Sequence, residues 1–217
     1  SYTMTILMSL MMFMMIFVML SISMASVERI NEVLTTKATI VSPENGIKEV
    51  ADGSINFEDV TFAYTDENGD KTHVLQGINL SIRSGEVIGI LGGTGSGKSS
   101  LVQLIPRLYD VESGRVTVAG HDVKEYDLNF LRKQVAMVLQ TNVLFSGTIK
   151  ENMRWGKKDA TDEEIIAACK IAQADEFIQD FKEGYDTMIE RGGSNVSGGQ
   201  RQRLCIARAL LMNPKIL

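Results

Sequence analysis

The segment that most constrains the fold of this chain is EVIGILGGTGSGKSSL, residues 86–101. It fits the pattern GxxxxGK[ST], with Gly92, Gly97, Lys98 and Ser99 at the fixed positions. The glycines let the backbone wrap closely around an anion, and a helix that begins there directs its free N–H groups toward the same anion. The apolar run before the loop predicts a strand buried on both faces. The segment therefore predicts a strand, a phosphate-binding loop and a helix, in that order.

The polar side chains of such a loop have separate tasks. Lys98 would place its charge on the β- and γ-phosphates of a nucleotide, and the Ser99 hydroxyl would ligate Mg²⁺. The residues expected to hold the nucleotide here are Gly92, Gly93, Thr94, Gly95, Ser96, Gly97, Lys98, Ser99 and Ser100. The alternative is a glycine-rich turn without a ligand. Because many unrelated functions use such a loop, a second motif has to decide between them.

That second motif is NVSGGQRQRLCIARAL, residues 195–210. Ser197, Gly198 and Gly199 combine a hydroxyl, two glycines that allow close approach, and the free N–H groups of a helix start. The alternative is an ordinary capped helix without a ligand. Lys98 and Ser197 are 99 positions apart, and a single ATP bound within one chain needs only the first of these sites.

The N-terminal segment is long, apolar and rich in methionine. Residues 1–27 carry no charge, and eight of the twelve methionines lie in residues 1–24. A helix of about 20 such residues spans a bilayer, so we predict a transmembrane helix at residues 1–24. A signal peptide would need a basic start and a shorter apolar core, and a buried helix of a soluble protein is the other alternative. Arg29, Lys37 and Lys48 weakly favour a cytoplasmic position for the chain beyond this helix.

The pattern changes twice after this segment. Residues 25–54 predict a cytoplasmic extension of the helix followed by a linker, because apolar residues at helical spacing give way to Pro43 and Asn45-Gly46. Residues 55–64 and 75–82 then alternate as two strands of an antiparallel sheet, and Asn68-Gly69 between them is a strong hairpin signal.

The rest of the chain alternates between strand and helix patterns. Strands are predicted at residues 114–120 and 135–140, and helices at 127–134, at 161–181 and from Gly198 to the turn at Pro214. Thr161 and Glu164 form a predicted capping box.

Composition excludes some classes of partner and site. The net charge is −5 and no basic patch is present, so we expect no nucleic-acid partner. Cys169 and Cys205 form no CxxC pair and lie in helical patterns, which favours small core residues in a reducing compartment over metal ligands or a disulfide. His73 and His121 receive no role.

The two motifs together resemble the ATP-binding cassette (ABC) family, and specifically the half-transporters of exporter type. The segment VSGGQ is similar to the family signature LSGGQ, with Val196 in place of leucine. Tyr64 matches the aromatic residue that stacks on adenine. Gln140 matches the glutamine of the Q-loop, which also approaches Mg²⁺. Glu190-Arg191-Gly192 matches the segment that touches the coupling helices of the membrane domain. A membrane helix ahead of the cassette is typical of exporters.

The resemblance implies a fold, cofactors and partners. The fold is an α/β P-loop NTPase of ABC type, with a RecA-like core, an antiparallel β-subdomain and a helical subdomain at about 148–206, all within residues 55–217. Two cassettes would form a head-to-tail sandwich with ATP and Mg²⁺. Ser197, Gly198, Gly199 and Gln200 would then hold the ATP of the partner, an identical or different half-transporter. The implied setting is the lipid of the plasma membrane, with the cassette in the cytoplasm and an unidentified substrate exported.

The last residues, NPKIL at 213–217, predict the start of a buried strand. In the family, this strand leads to an aspartate that supports Mg²⁺ and a glutamate that acts as general base. We therefore expect an incomplete cassette that binds ATP but barely hydrolyses it, and a chain that is truncated at both ends. Two other classes remain open, a soluble ABC-type ATPase and an inert interaction fragment.

Overall fold

The computed structural model describes residues 2–66 and 68–217. The chain divides into two compact units, of which the first ends at Val41 and the second begins at Ser42. The first unit is essentially one helix, α1 (Tyr2–Thr35), with no buried residue. It is long and apolar enough to cross a membrane, and it continues without a break into the predicted extension. Ser9 and Ser21 donate their hydroxyl protons to carbonyl oxygens four residues earlier, at 2.9 and 3.0 Å. This bonding makes their polarity tolerable in an apolar environment.

The second unit begins with a four-stranded antiparallel sheet. The strands are β1 (Ile55–Thr65), β2 (Lys71–Ile82), β3 (Ser113–Val118) and β4 (His121–Asp122), in the spatial order β2-β1-β3-β4. The predicted hairpin between β1 and β2 is confirmed by their antiparallel pairing. A bulge in β1 changes the register between Phe57 and Val60. Because the bulge adds residues to one strand only, Phe57, Val60 and Phe62 all face the core.

The prediction of a doubly buried strand at residues 86–91 is wrong. The segment has no strand structure, and Val87 and Leu91 are 99% and 96% exposed. A strand needs neighbours for its N–H and C=O groups, and in the described part of the chain no strand pairs with this segment. The predicted strand at 135–140 is also wrong beyond its first residue. Val135 forms a parallel bridge with Ile216, which agrees with a strand that begins near the C-terminal lysine.

The helices of the second unit are short. They are α2 (Lys98–Leu104), α3 (Leu128–Gln134), α4 (Ile149–Arg154), α5 (Asp162–Ile171), α6 (Asp175–Gln179) and α7 (Gly198–Leu210). A two-stranded ribbon of β5 (Gly147–Thr148) and β6 (Met188–Ile189) packs beside α4, and two 3₁₀ turns cover Gly184–Asp186 and Arg191–Gly193.

Two hydrophobic clusters organise this unit. One is formed by the antiparallel sheet and includes Leu104 of α2. The other joins α4 to α7 and includes Ile165, Ile178 and Leu204. The helix that begins at the phosphate loop and the helix that begins at the second motif therefore belong to different clusters.

The single helix predicted at residues 161–181 is in fact two helices. The capping box of Thr161 and Glu164 is present as predicted, but α5 ends at Ile171. Gln173 adopts φ of 56°, a left-handed conformation that no α-helix continues through. The break turns α6 against α5 and buries Phe177 and Ile178 in the helical cluster.

Both cysteines are free and buried in the helical cluster, as predicted for core residues. Burial raises the pKa of the Cys169 thiol to about 12, although a hydrogen bond with Tyr185 acts in the opposite direction. Burial also raises the pKa of Cys205, against the opposing charges of Arg208 and Arg201. A raised pKa keeps the thiols protonated and therefore unreactive at neutral pH.

We expect iodoacetamide at pH 8 to alkylate the native thiols at least about tenfold more slowly than the denatured ones, because the thiolate fraction falls tenfold per unit of pKa. The measurement is mass spectrometry of samples quenched over time, with the protein in denaturant as the control for two reactive thiols. Equal rates for native and denatured protein would contradict the burial of these residues.

Candidate nucleotide-binding site

The phosphate loop wraps around the side chain of Lys98. The ammonium Nζ donates to the carbonyl oxygens of Gly92 at 2.8 Å and Gly93 at 2.7 Å, and it lies 3.4 Å from Ser96 Oγ. This places the only lysine of the loop at its centre, where several neutral acceptors hold it. An anion that enters the loop would meet the positive charge of Lys98, whose ammonium could exchange carbonyl partners for phosphate oxygens.

Two glycines show why the loop tolerates few other residues. Gly97 caps α2 with φ of 84°, and a Cβ there would lie 2.9 Å from Leu75 Cδ2 and 3.2 Å from the carbonyl oxygen of Val74. The start of α2 is thus packed directly on β2. Gly95 also has a positive φ, of 81°, but no atom lies within 4 Å of a Cβ added there or at Gly93. The loop is therefore supported on one side by the sheet and open on the other.

The predicted Mg²⁺ ligands have suitable chemistry. Ser99 and Gln140 have exposed side chains, and in the described part of the chain neither side chain forms a hydrogen bond. A hydroxyl and an amide oxygen are hard ligands, and Mg²⁺ is usually held by few protein groups together with phosphate oxygens and waters. Each side chain therefore has the chemistry of a Mg²⁺ ligand. Thr94 is likewise exposed in the loop.

Tyr64 lies at the C-terminal end of β1 and contacts the helix of the phosphate loop. Its hydroxyl is 3.0 Å from Ser100 Oγ and donates to Gln103 Oε1 at 3.3 Å. The structure thereby brings one predicted base-binding residue and one predicted phosphate-binding residue into direct contact. The ring is only partly buried, so part of its surface is available to a ligand.

The second motif begins α7 with a capping box. Ser197 Oγ accepts a hydrogen bond from the Gln200 backbone N–H at 3.2 Å, and Gln200 Oε1 accepts one from the Ser197 N–H at 2.9 Å. Because the hydroxyl oxygen acts as acceptor, its proton remains available to an anion. Gly198 and Gly199 are exposed, and nothing lies within 4 Å of a Cβ added at either. The arrangement serves the helix as a cap and also leaves room for a ligand.

Comparison with known proteins shows to which family of phosphate-loop proteins this chain belongs. The family model described as ABC transporter matches residues 75–217, which include both motifs. The chain belongs to the ABC transporter family. The chain is 45% identical over 196 residues to the ATP-binding/permease protein YgaD of Bacillus subtilis (strain 168), covering 90% of this chain and 33% of that protein.

Other relatives of this ABC chain agree. It is 46% identical over 169 residues to an ATP-binding/permease protein of Staphylococcus aureus (strain NCTC 8325 / PS 47), which covers 78% of the chain and 29% of the relative. The solved structure of a bacterial Atm1-family ABC exporter with ATP bound matches with a TM-score of 0.81 and 31% identity, over 92% of this chain and 35% of that one. The chain thus spans about a third of the length of these relatives. The antiparallel sheet and α/β fold predicted for an ABC ATPase are confirmed.

The segment before the signature of this ABC chain is fixed to α7. Arg201 Nη1 donates to the carbonyl oxygen of Gly192 at 2.8 Å. Glu190 accepts a hydrogen bond from Ser194 Oγ at 2.6 Å, and its backbone N–H donates to Asn195 Oδ1 at 3.0 Å. Arg201 therefore ties this segment to the first turn of α7.

Two residues that contact Tyr64 were not predicted from the sequence. Gln103 and Tyr109 contact Tyr64, but neither belongs to a motif. Gln103 lies beyond the fixed positions of the phosphate-loop pattern, and no periodic signal in the sequence would have identified its contact with a residue of β1.

Proposed function

We propose that this chain is the ATP-binding and ATP-hydrolysing subunit of an ABC exporter. The observation that supports this most is the loop in which Lys98 is held by the Gly92 and Gly93 carbonyl oxygens beside an open, glycine-lined surface. Nucleotide phosphates would enter this surface, and Lys98 would turn from the carbonyls to the β- and γ-phosphates. Thr94, Ser96 and the loop amides would add donors. Tyr64 would stack on adenine, and Ser99 and Gln140 would hold Mg²⁺.

The second part of the proposal concerns a second subunit. The phosphate loop and the signature turn belong to different hydrophobic clusters of the same unit, and no hydrogen bond joins them among the described residues. One ATP would therefore lie between the loop of one chain and Ser197, Gly198, Gly199 and Gln200 of another. The partner would be an identical or a different half-transporter.

The third part concerns coupling to transport. We place α1 in the lipid of the cell membrane and the second unit in the cytoplasm, on the apolar and unbroken character of the helix. Closure of the nucleotide sandwich would act on the membrane domain through Gln140 and the Glu190 segment, which Arg201 ties to α7. The relatives carry multidrug export in their names.

The fourth part concerns turnover. Catalysis of phosphoryl transfer depends on positioned charge and a group that orients the attacking water. Lys98 would supply positive charge at the phosphates, and Gln140 would help to hold Mg²⁺. We therefore expect the transporter that contains this chain to hydrolyse ATP and to lose most of this activity in Lys98→Ala. Hydrolysis that is unchanged in Lys98→Ala would contradict this part.

The test of the sandwich is Ser197→Ala in the transporter that contains this chain. We expect ATP hydrolysis to fall about tenfold, the loss expected for one hydrogen bond to a charged group, while ATP binding changes less than about twofold. Hydrolysis is measured in proteoliposomes and binding with a fluorescent ATP analogue.

The matched control for this variant is Thr161→Ala, which removes the same kind of capping box from α5, outside the proposed site. It should cost helix stability as Ser197→Ala does, by about 1 kcal/mol, and leave hydrolysis unchanged. Equal losses of hydrolysis in both variants would show that Ser197 acts only as a helix cap.

A further inference from the structure

Tyr64 is held from three sides, by two aromatic rings and by two residues of α2. Its ring makes edge contacts with Phe62 and Tyr109, at centroid distances of 4.8 and 5.2 Å. Its hydroxyl lies between Ser100 Oγ at 3.0 Å and Gln103 Oε1 at 3.3 Å, both on α2. The two aromatic rings restrict the position of the Tyr64 ring, and the two polar contacts fix its hydroxyl end.

The protons of this cluster have one consistent arrangement. Gln103 Oε1 can only accept, so the Tyr64 hydroxyl donates to it. The Tyr64 oxygen then accepts the proton of Ser100, which is buried and only 6% exposed. Ser100 and Gln103 are three residues apart on a helix and therefore face the same direction. A single face of α2 thus holds the phenol at two points.

We propose that Gln103 and Ser100 are positioning residues that set the orientation of the Tyr64 ring relative to the phosphate loop. This inference rests on the proposed function, in which adenine stacks on Tyr64. α2 begins at Lys98, so the same rigid helix carries the phosphate-binding lysine at its first residue and the anchors of the base-stacking ring further along. The distance between the base-stacking ring and the phosphate-binding lysine is then set by the protein before a nucleotide binds.

The physical gain is preorganisation. A tyrosine ring at the end of a strand has two rotatable side-chain bonds, and ordering them on binding would lower affinity. The hydroxyl contacts order the ring in advance. Their loss should therefore weaken only ligands that carry a base, and a ligand made of phosphates alone should be unaffected.

The experiment compares ATP with inorganic tripolyphosphate, which lacks the base, by titration calorimetry on the detergent-solubilised protein with Mg²⁺. We expect Tyr64→Phe and Gln103→Leu each to weaken ATP binding about fivefold, the effect of about one neutral hydrogen bond. Tripolyphosphate binding should change less than twofold in both variants. Gln103→Glu keeps an acceptor oxygen and should restore ATP affinity to within about twofold of the unchanged protein.

The double variant Tyr64→Phe with Gln103→Leu isolates the contact itself. If Gln103 acts through the Tyr64 hydroxyl, the double variant should bind ATP no more than about twofold more weakly than either single variant, because the shared interaction can be lost only once. Independent, multiplying losses would overturn the proposal. Equal weakening of ATP and tripolyphosphate would also overturn it, because a merely structural contact between β1 and α2 would disturb the phosphate loop as well.

A further variant separates this proposal from the proposed function. Tyr64→Ala removes the ring, and ATP binding that is unchanged in this variant would remove the stacking role of Tyr64 itself. ATP binding that is lost in Tyr64→Ala but retained in Tyr64→Phe would overturn only the positioning role of Gln103 and Ser100. Melting curves of all variants, within a few degrees of the unchanged protein, establish that each is folded.

Discussion

Substitution of Lys98 by alanine is expected to weaken ATP binding by about 100-fold, or about 2.8 kcal/mol, the range found for hydrogen bonds that involve a charged group. In the structure the ammonium already lies within the loop, held by the carbonyl oxygens of Gly92 and Gly93 at 2.8 and 2.7 Å. Binding exchanges these neutral acceptors for phosphate oxygens that carry charge. The Lys98→Ala variant cannot make this exchange, and the phosphates of ATP would then face a loop that has lost its only cation.

The measurement is equilibrium titration with a fluorescent ATP analogue, repeated with ADP and tripolyphosphate. All three should weaken by similar factors, because Lys98 acts on phosphates and not on the base. Lys124→Ala is the matched control, since it removes an exposed lysine from a turn outside the loop. It should leave affinity within about twofold. ATP affinity that survives Lys98→Ala within threefold would contradict the proposed phosphate site.

Salt provides a second check on the same residue. A contact between an ammonium and exposed phosphates is screened as ionic strength rises, so ATP affinity of the unchanged protein should fall with added salt. The affinity of the Lys98→Ala variant should fall less steeply. Parallel salt dependences would mean that the charge of Lys98 does not reach the ligand.

The features that could be predicted from sequence are those that depend on neighbouring residues. The capping box of Thr161 and Glu164 needs only four consecutive positions, and the hairpin between β1 and β2 needs only its turn. The glycine pattern of the phosphate loop likewise specifies its own backbone, as the positive φ values of Gly95 and Gly97 show. Each is therefore visible in a short window of sequence.

The features that could not be predicted depend on distant partners. Residues 86–91 have the composition of a core strand, but composition does not provide a neighbouring strand to pair with. The helix break at Gln173 requires a left-handed glutamine, which is unfavourable locally and is stabilised by the burial of α6. The contact of Gln103 with Tyr64 joins residues 39 positions apart, so no local pattern indicates it.

The two candidate anion sites also differ in the charged and polar groups that each one contributes by itself. The phosphate loop contains its own cation, while the signature turn contributes one hydroxyl and backbone groups and has no lysine within it. In the proposed sandwich, another chain would place a nucleotide and its metal against this turn. For this reason we favour the sandwich over a second independent site as the role of Ser197.

A glycine outside both motifs packs against the backbone of the strand that carries Tyr64. Gly114 lies at the start of β3 with φ of 77°, opposite the bulge of β1, and a Cβ there would overlap the carbonyl oxygens of Glu58 and Asp59. We expect Gly114→Ala to destabilise the second unit by roughly 3 kcal/mol or more, from about 1–2 kcal/mol of backbone strain and a comparable cost of overpacking. This corresponds to a melting temperature lower by roughly 10 °C.

Gly120→Ala is the matched control for this prediction. Gly120 lies just after the same strand with φ of 82°, and nothing lies within 4 Å of a Cβ added there. It therefore carries the backbone strain without the overlap, and its melting temperature should fall by only a few degrees. The measurement is calorimetry of both variants in the same detergent.

The difference between the two glycine variants also bears on the nucleotide. The bulge determines which side chains of β1 face inward, so a shift that relieves the overlap at Gly114 would move Tyr64 away from Ser100. Folded Gly114→Ala protein should for that reason bind ATP more weakly while tripolyphosphate binding is retained, and Gly120→Ala should bind both normally. Equal melting temperatures for the two variants would mean that the carbonyl oxygens at the bulge can move aside at no cost. The register of β1 at the bulge would then not determine the position of the Tyr64 ring.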